Sequence, residues 1–514
     1  MESVITGRRA AILVACVLSA NALHAQFSRP AAPADRPQAV QLPVSGRTSQ
    51  TGSVTAGQAA IPGTTTSVTT INPVIQAQGP YTGSAEAAKL PGSLSLREAV
   101  QRGLEYNLGA VGQTQAARQA QGQSRVARSV LLPNVVGTLS ETVQQINLKA
   151  LGFRVQQPIP GFTIPTIVGP FNFFDLRATL AQTVLDFTAL NNYRSSKETL
   201  RANELFAEDA RDLVALAVGG AYLQVIAAQA RVDASRAQLA TADALYDQAL
   251  QQRNVGLVAQ TDVNRSQIQA LTERQRLLSL ENDLARQKLN LARMIGLPLG
   301  EPLQLADPVP FSPAPAITLE NALKQAFELR SDLRAAQAQV RAAERALAAA
   351  RAERLPSLSV RGDYGVIGTN PAQSHGTFAV VGTLRFPIWE GGRAEGDIQQ
   401  AEAALAQREA ELEDTMGRVE SDVRNAYLDL ESAARQVDVA MTNIQVAQEN
   451  LDLTRQRFDA GVSDNVAVVQ SQESVAAAQL DYINSVFAHN VGKLALARAI
   501  GNAAEGLDKF LELR

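Results

Sequence analysis

The sequence is nearly empty of the residues that carry most enzyme and metal chemistry. Its one cysteine, Cys16, rules out a disulfide framework. The three histidines, His24, His375 and His489, lie far apart, so a histidine-based metal site or triad would need scattered positions. No GxxxxGK phosphate loop occurs, so energy for any transport must come from elsewhere. Aromatics are 5% of residues against 46% hydrophobic, and much of that apolar fraction is alanine. A compact core of ordinary density needs larger side chains. Alanine with few aromatics suits long, closely packed helices instead. An excess of one charge is also missing: 47 basic residues stand against 50 acidic, a net charge of −3, which argues against a nucleic-acid partner. Past the N-terminus the sequence suggests no run of the ~18 apolar residues that a membrane helix needs. These absences together predict neither an enzyme nor a protein with a cofactor or metal.

What is present begins with an address. Arg8 and Arg9 precede the apolar run Ala10–Ala20, and Ala20-Asn21-Ala22 fits a small-x-small cleavage site, with Ala25 as a second choice. Residues 1–22 therefore read as a secretory signal peptide. A rival reading takes Leu13-Val14-Ala15-Cys16 as a lipobox, with Cys16 lipidated. Residues 27–93 are low complexity, rich in Pro, Gly, Ser, Thr, Ala and Gln, and read as a disordered leader.

The body is a duplicated unit. Shifting the chain by 223 places Leu94-Ser95-Leu96 on Ile317-Thr318-Leu319 and Leu132-Pro133 on Leu355-Pro356. A shift of 205 places Ala221-Tyr222-Leu223 on Ala426-Tyr427-Leu428 and Gly256 on Gly461. The same shift places Ile295-Gly296 on Ile500-Gly501. The two shifts differ by 18, an insertion in the first copy between Leu139 and Tyr193. The expected organisation is one repeat over 94–300, a proline-rich linker over 301–316, a second repeat over 317–505 and a tail over 506–514.

Each copy reads as helix, two strands, long helix, long helix. Proline is absent from Phe171 to Leu297 and from Ile388 onward, so long helices fit there. Met416, Val423, Leu430, Val437, Ile444, Leu451 and Phe458 recur every seven residues, with Val419, Ala426, Ala433, Ala440 and Ala447 three later. Large and small positions in one heptad seam let helices approach closely and supercoil. Two segments carry a different period. Around 355–388, Leu358, Val360, Gly362, Tyr364 and Val366 alternate with polar residues, as do Phe378, Val380, Gly382, Leu384 and Phe386. Around 133–186, Leu176, Ala178, Leu180 and Val184 do the same. Strands of about ten residues with one apolar face match a tilted bilayer crossing. Four strands are too few for a closed barrel, so several chains would have to share one.

The whole body, from about Leu94 to Gly501, resembles the TolC-like outer-membrane efflux proteins. The duplicated plan carries the resemblance, with three sets of markers in order. They are Leu132-Pro133 and Leu355-Pro356 entering strands, the Pro387–Arg393 run leaving the last strand, and Asn254–Val263 at the helical turn. The resemblance implies a fold that is mainly α with a β-barrel portion: a long antiparallel coiled-coil α-helical barrel, plus four strands per chain contributing to a 12-stranded transmembrane barrel shared by a homotrimer. It implies an exit duct in the outer membrane of a Gram-negative cell, extending into the periplasm and set in outer-membrane lipid. It also implies two partners, a periplasmic adaptor protein and an inner-membrane transporter of RND or ABC type. Matched position by position, Thr261, Asp262, Phe458, Ser463 and Asp464 fall at the periplasmic gate. The second copy departs from the family there: Phe458 and Ser463 replace a tyrosine and an arginine, and Ala467 and Gln470 replace two ring aspartates. Val255, Gly256, Leu257, Val258, Ala460, Gly461 and Val462 fall at the tip that meets the adaptor. The alternative from the residues themselves is a periplasmic coiled-coil scaffold with no pore.

Overall fold

The computed structural model describes residues 92–152, 165–299, 303–307, 310–314, 316–460, 462 and 465–511, together with the strand backbone of 53–60 and 67–74. The chain divides into two units, Met1–Gly46 and Arg47–Arg514, and every described residue belongs to the second. The signal segment 1–22 with Cys16, most of the leader, and Gly461, Ser463 and Asp464 lie outside the described residues. Within the leader, β1 (Ser53–Ala60) pairs antiparallel with β2 (Ser67–Val74), strands in a stretch where composition suggested none.

The first copy opens with α1 (Leu96–Tyr106). Its start is set by a capping box: Glu98 N–H donates to Ser95 Oγ at 3.2 Å, and Ser95 N–H donates to Glu98 Oε2 at 3.0 Å. At Asn107 the chain turns into α2 (Leu108–Ser129), then β3 (Asn134–Asn147) and β4 (Ile167–Leu185). The long helix α3 (Phe187–Asn254) and its return α4 (Gln260–Met294) follow. The second copy repeats this with α5 (Leu319–Leu329), α6 (Ser331–Ala352), β5 (Ser357–Gly368), β6 (His375–Arg385), α7 (Arg393–Asp459) and α8 (Asn465–Ile500). With its 67 residues α7 is ~100 Å long at the α-helical rise. The first hairpin is the longer of the two. Its connection runs over 148–166, where the second hairpin turns over 369–374.

Two expectations need correction. The segment read as a tail is helical as far as Leu511, in α9 (Ala503–Leu511). It packs, with Phe510 and Leu511 buried and the Ala504 N–H donating to Asp212 Oδ1 at 2.8 Å. Also, α3 does contain an 18-residue window of mean hydropathy 1.7, long and apolar enough to cross a membrane. That window is 61% buried, because the middle of α3 is the core of the molecule. Val214, Val218, Tyr222 and Val225 pack there against Leu96 of α1, Leu291 of α4 and Leu494 of α8. Tyr222 donates its hydroxyl to Leu94 O at 2.9 Å, and burial pushes its pKa up to about 12. A second core joins Ala322 and Ala326 of α5 to Val423 and Leu430 of α7 and Leu496 and Ile500 of α8.

From Val419 onward most of the heptad seam is buried, namely Val423, Ala426, Leu430, Ala433, Val437, Ala440, Ala447 and Leu451, with Ile444 and Phe458 half-buried. Met416, one heptad earlier, is 38% exposed. α8 ends at Ile500, and near its own start α7 pairs with the end of α6 instead, Arg351 with Glu402 and Arg354 with Glu395, so the small-large seam no longer has its partner.

Candidate functional site

The four strands form one antiparallel sheet in the order β3-β4-β5-β6. Both outer strands, β3 and β6, present an edge with no strand partner among the described residues. Pairing puts Leu139 opposite Leu176, Leu176 opposite Val366, and Tyr364 opposite Phe378, so one face is apolar across all four strands. That face is bare: Leu139 is 68% exposed, Phe378 78% and Val380 69%. Burying such side chains is worth ~1.5–3 kcal/mol each, so a face this open implies a second apolar phase against it.

The other face is polar and carries one ion cluster. Arg177 of β4 pairs with Asp363 of β5 through Nη1 and with Asp175 through Nε, and its Nη2 donates to Thr377 Oγ1 of β6 at 3.3 Å. One side chain thus reaches over three strands. Arg361 and Arg385 lie on the same face, both exposed. Sequence reading placed these residues on a polar face but had no means of joining them. Among the described residues there is no His, Cys, Asp or Glu group that could hold a metal.

The opposite end of each copy is a helical turn. α3 stops at a Schellman motif: Gly256 N–H donates to Arg253 O at 2.9 Å and Leu257 N–H donates to Gln252 O at 2.9 Å. Gly256 sits at φ +79°, which a side chain disfavours. The second copy makes the same closing bond, from Val462 N–H to Arg457 O at 2.9 Å. The turns leave apolar side chains in solvent, with Val255 71%, Leu257 75% and Val462 69% exposed, while Val258 is half-buried and Ala460 exposed. Thr261 and Asp262 begin α4, Thr261 exposed and Asp262 half-buried, with the Asp262 carboxylate 3.4 Å from Arg265 Nη1. An acid in the first turn also offsets the helix dipole. Phe458 is half-buried and packs with Leu451 and Val468 between α7 and α8.

Between these ends lie ionic groups that periodicity did not reveal, one within the second copy and one between the copies. Arg330, at the α5–α6 corner, holds Asp332 (2.6 Å) and Asp422 of α7 (2.9 Å), and Arg498 of α8 pairs with Asp209 of α3. Burial pushes the Asp209 carboxyl up to about 6 despite Arg498 beside it. In the linker, Ser312 O accepts from Lys493 Nζ at 2.6 Å and lies 3.0 Å from His489 Nε2, both side chains being fully buried. Burial holds the His489 imidazole below its usual pKa. The one sequence signal for this strap was His489 and Lys493 one helical turn apart.

Residues 111–297 and 322–502 match the family described as outer membrane efflux protein, one match to each copy. Outer membrane protein OprJ of Pseudomonas aeruginosa is 29% identical over 227 residues, 42% of this chain and 44% of that protein, so the match spans under half of that relative's length. The outer membrane protein VceC of Vibrio cholerae has the same fold, with a TM-score of 0.67 at 18% identity over 80% of this chain and 97% of that one. The CmeC outer membrane channel of Campylobacter jejuni superposes with a TM-score of 0.67 at 17% identity, over 81% of this chain and 88% of that one.

Proposed function

This chain belongs to the outer membrane efflux protein family, and we propose that it is a passive exit duct, three copies closing one barrel in the outer membrane and one helical tunnel in the periplasm. A single observation carries the reading. A four-stranded sheet with a bare apolar face, and with two edges unpaired among the described residues, stands at one end of helices ~100 Å long. Unpaired strand edges are not tolerated in lipid, so the sheet must be closed by other copies of itself. Twelve strands from three chains fall within the size range of outer-membrane barrels. A soluble scaffold gives no reason for that face to be bare.

The duct receives its cargo from an adaptor protein and an inner-membrane pump, of RND or ABC type. The apolar residues Val255, Gly256, Leu257, Val258, Ala460, Gly461 and Val462 are the docking tips. Thr261, Asp262, Phe458, Ser463 and Asp464 surround the periplasmic aperture. Catalysis has no part in this reading.

Detergent extraction tests the core of the proposal. A duct gives a detergent-dependent trimer that conducts ions in a planar bilayer. Release by salt alone, as a soluble protein, would rule the duct out. A cysteine at Leu257 that cross-links to a co-expressed adaptor supports the tip assignment.

A further inference from the structure

The Arg177 cluster is more ordered than a wet polar face requires. Arg177 stands opposite Gly365 on β5, and Gly365 stands opposite Thr377 on β6, so the three positions form one row across the sheet. A Cβ at Gly365 would come within 2.6 Å of Leu176 O and 3.0 Å of Arg177 Cβ. The missing side chain leaves room for the Arg177 side chain, which passes Gly365 to reach Thr377. Asp175 and Asp363 flank it, and all three charged side chains are only 21–25% exposed. Two carboxylates share one cation, so the cluster holds one unit of net negative charge in a fixed place. Arg361 and Arg385, on the same face, are exposed and carry two positive charges outside this cluster.

We propose that Arg177 is a selectivity-determining residue of the duct: by clasping Asp175 and Asp363 it holds this cluster on the barrel wall at one negative unit per chain. The inference rests on the proposed duct, in which the polar face lines the lumen. Twelve strands spaced about 4.8 Å apart and tilted by about 40° enclose a barrel of roughly 12 Å backbone radius. Side chains narrow that further, so wall charge reaches much of the lumen within the ~8 Å Debye length of physiological salt. Rings of fixed charge at this range set the ionic preference of pores.

The test is reversal potential across a potassium chloride gradient in planar bilayers, on the full-length trimer. Arg177→Gln unmasks the second carboxylate, and the potassium-to-chloride permeability ratio rises about two-fold. Asp363→Asn lowers it by a similar factor, and Arg177→Lys, which keeps the charge, stays near the wild type. A purely structural Arg177 predicts something else: Arg177→Gln trimers that dissociate at lower temperature but conduct with unchanged selectivity. That result, or an unchanged ratio in Asp363→Asn, overturns the inference while leaving the duct intact. A wild-type protein that forms no channel at all overturns both.

Discussion

Arg498, in the last turn of α8, grips Asp209 of α3 across the boundary between the two copies. Both side chains are nearly buried, at 11% and 14% exposed, and they sit beside the Arg330–Asp332–Asp422 cluster. The corresponding corner of the first copy has Asn107 in place of Arg330 and is neutral: its amide donates to Met294 O at 3.4 Å and accepts from the Gly109 N–H at 2.9 Å. The duplicated architecture therefore carries two different junctions, one ionic and one built on a neutral amide.

The ionic junction makes stability depend on pH. The folded Asp209 carboxyl, raised to about 6, binds a proton more readily than the same group in the unfolded chain at about 3.9. Its contribution is therefore fully present below about pH 4 and is lost as pH rises through about 6. Melting temperature of the detergent-solubilised protein should fall across that window. Asp209→Asn should flatten the slope, with a remainder from Asp212, which burial also raises.

Arg330 compensates two carboxylates while only 4% of its side chain is exposed. Arg330→Ala leaves Asp332 buried and unpaired and should cost ~3–5 kcal/mol, read as a drop in melting temperature. Arg330→Met combined with Asp332→Leu removes the stranded charge and should recover a large part of that loss.

Gly501 ends α8 at φ +85°, and a Cβ there would lie 2.9 Å from Arg330 Cα. Gly501→Val meets both the left-handed backbone and the contact, and should lower the yield of folded protein. Gly417→Ala, where a Cβ meets nothing within 4 Å inside α7, should be neutral or slightly stabilising. Melting curves of the two variants provide the comparison.

Lys493 and His489 strap the linker through Ser312. Lys493→Met keeps the stem but deletes the charged donor. Limited proteolysis should then cut the 301–316 linker several-fold faster, with the long helices still resistant. Equal rates in both proteins would remove the strap.

The two sheet faces should respond oppositely to charge. Val380→Arg, on the bare apolar face, should cost ~2–4 kcal/mol and sharply reduce assembled trimer in membranes. Thr383→Arg, one row of the polar face, should assemble normally. Heat-modifiable migration on gels separates the two.

Much of this architecture was legible along the chain because it is periodic. Heptads of large and small residues mark α7, and alternation marks β4, β5 and β6. Punctuation by Ser95, Thr318, Gly256 and proline sets where elements start and stop. These are local rules, each satisfied within a few residues. The seam failed to predict Met416, because burial there depends on which helix lies alongside, and α7 changes partner. The tail failed for a related reason: a nine-residue helix is not stable alone, and α9 is held by the core it covers and by Asp212.

Composition, repeats and periodicity established a duplicated chain of long helices carrying four two-faced strands, with no catalytic or metal constellation to suggest. Those properties follow from spacing between near neighbours, which the chain displays directly. Pairing over long range was settled only by the folded structure. Arg177 meets Asp363 from 186 residues away, Lys493 meets Ser312 from 181, and Arg498 meets Asp209 from 289. An ionic side chain on a helix or strand looks the same in sequence whether it faces water or a buried partner. Only packing, by removing water from one of those environments, decides which charges act.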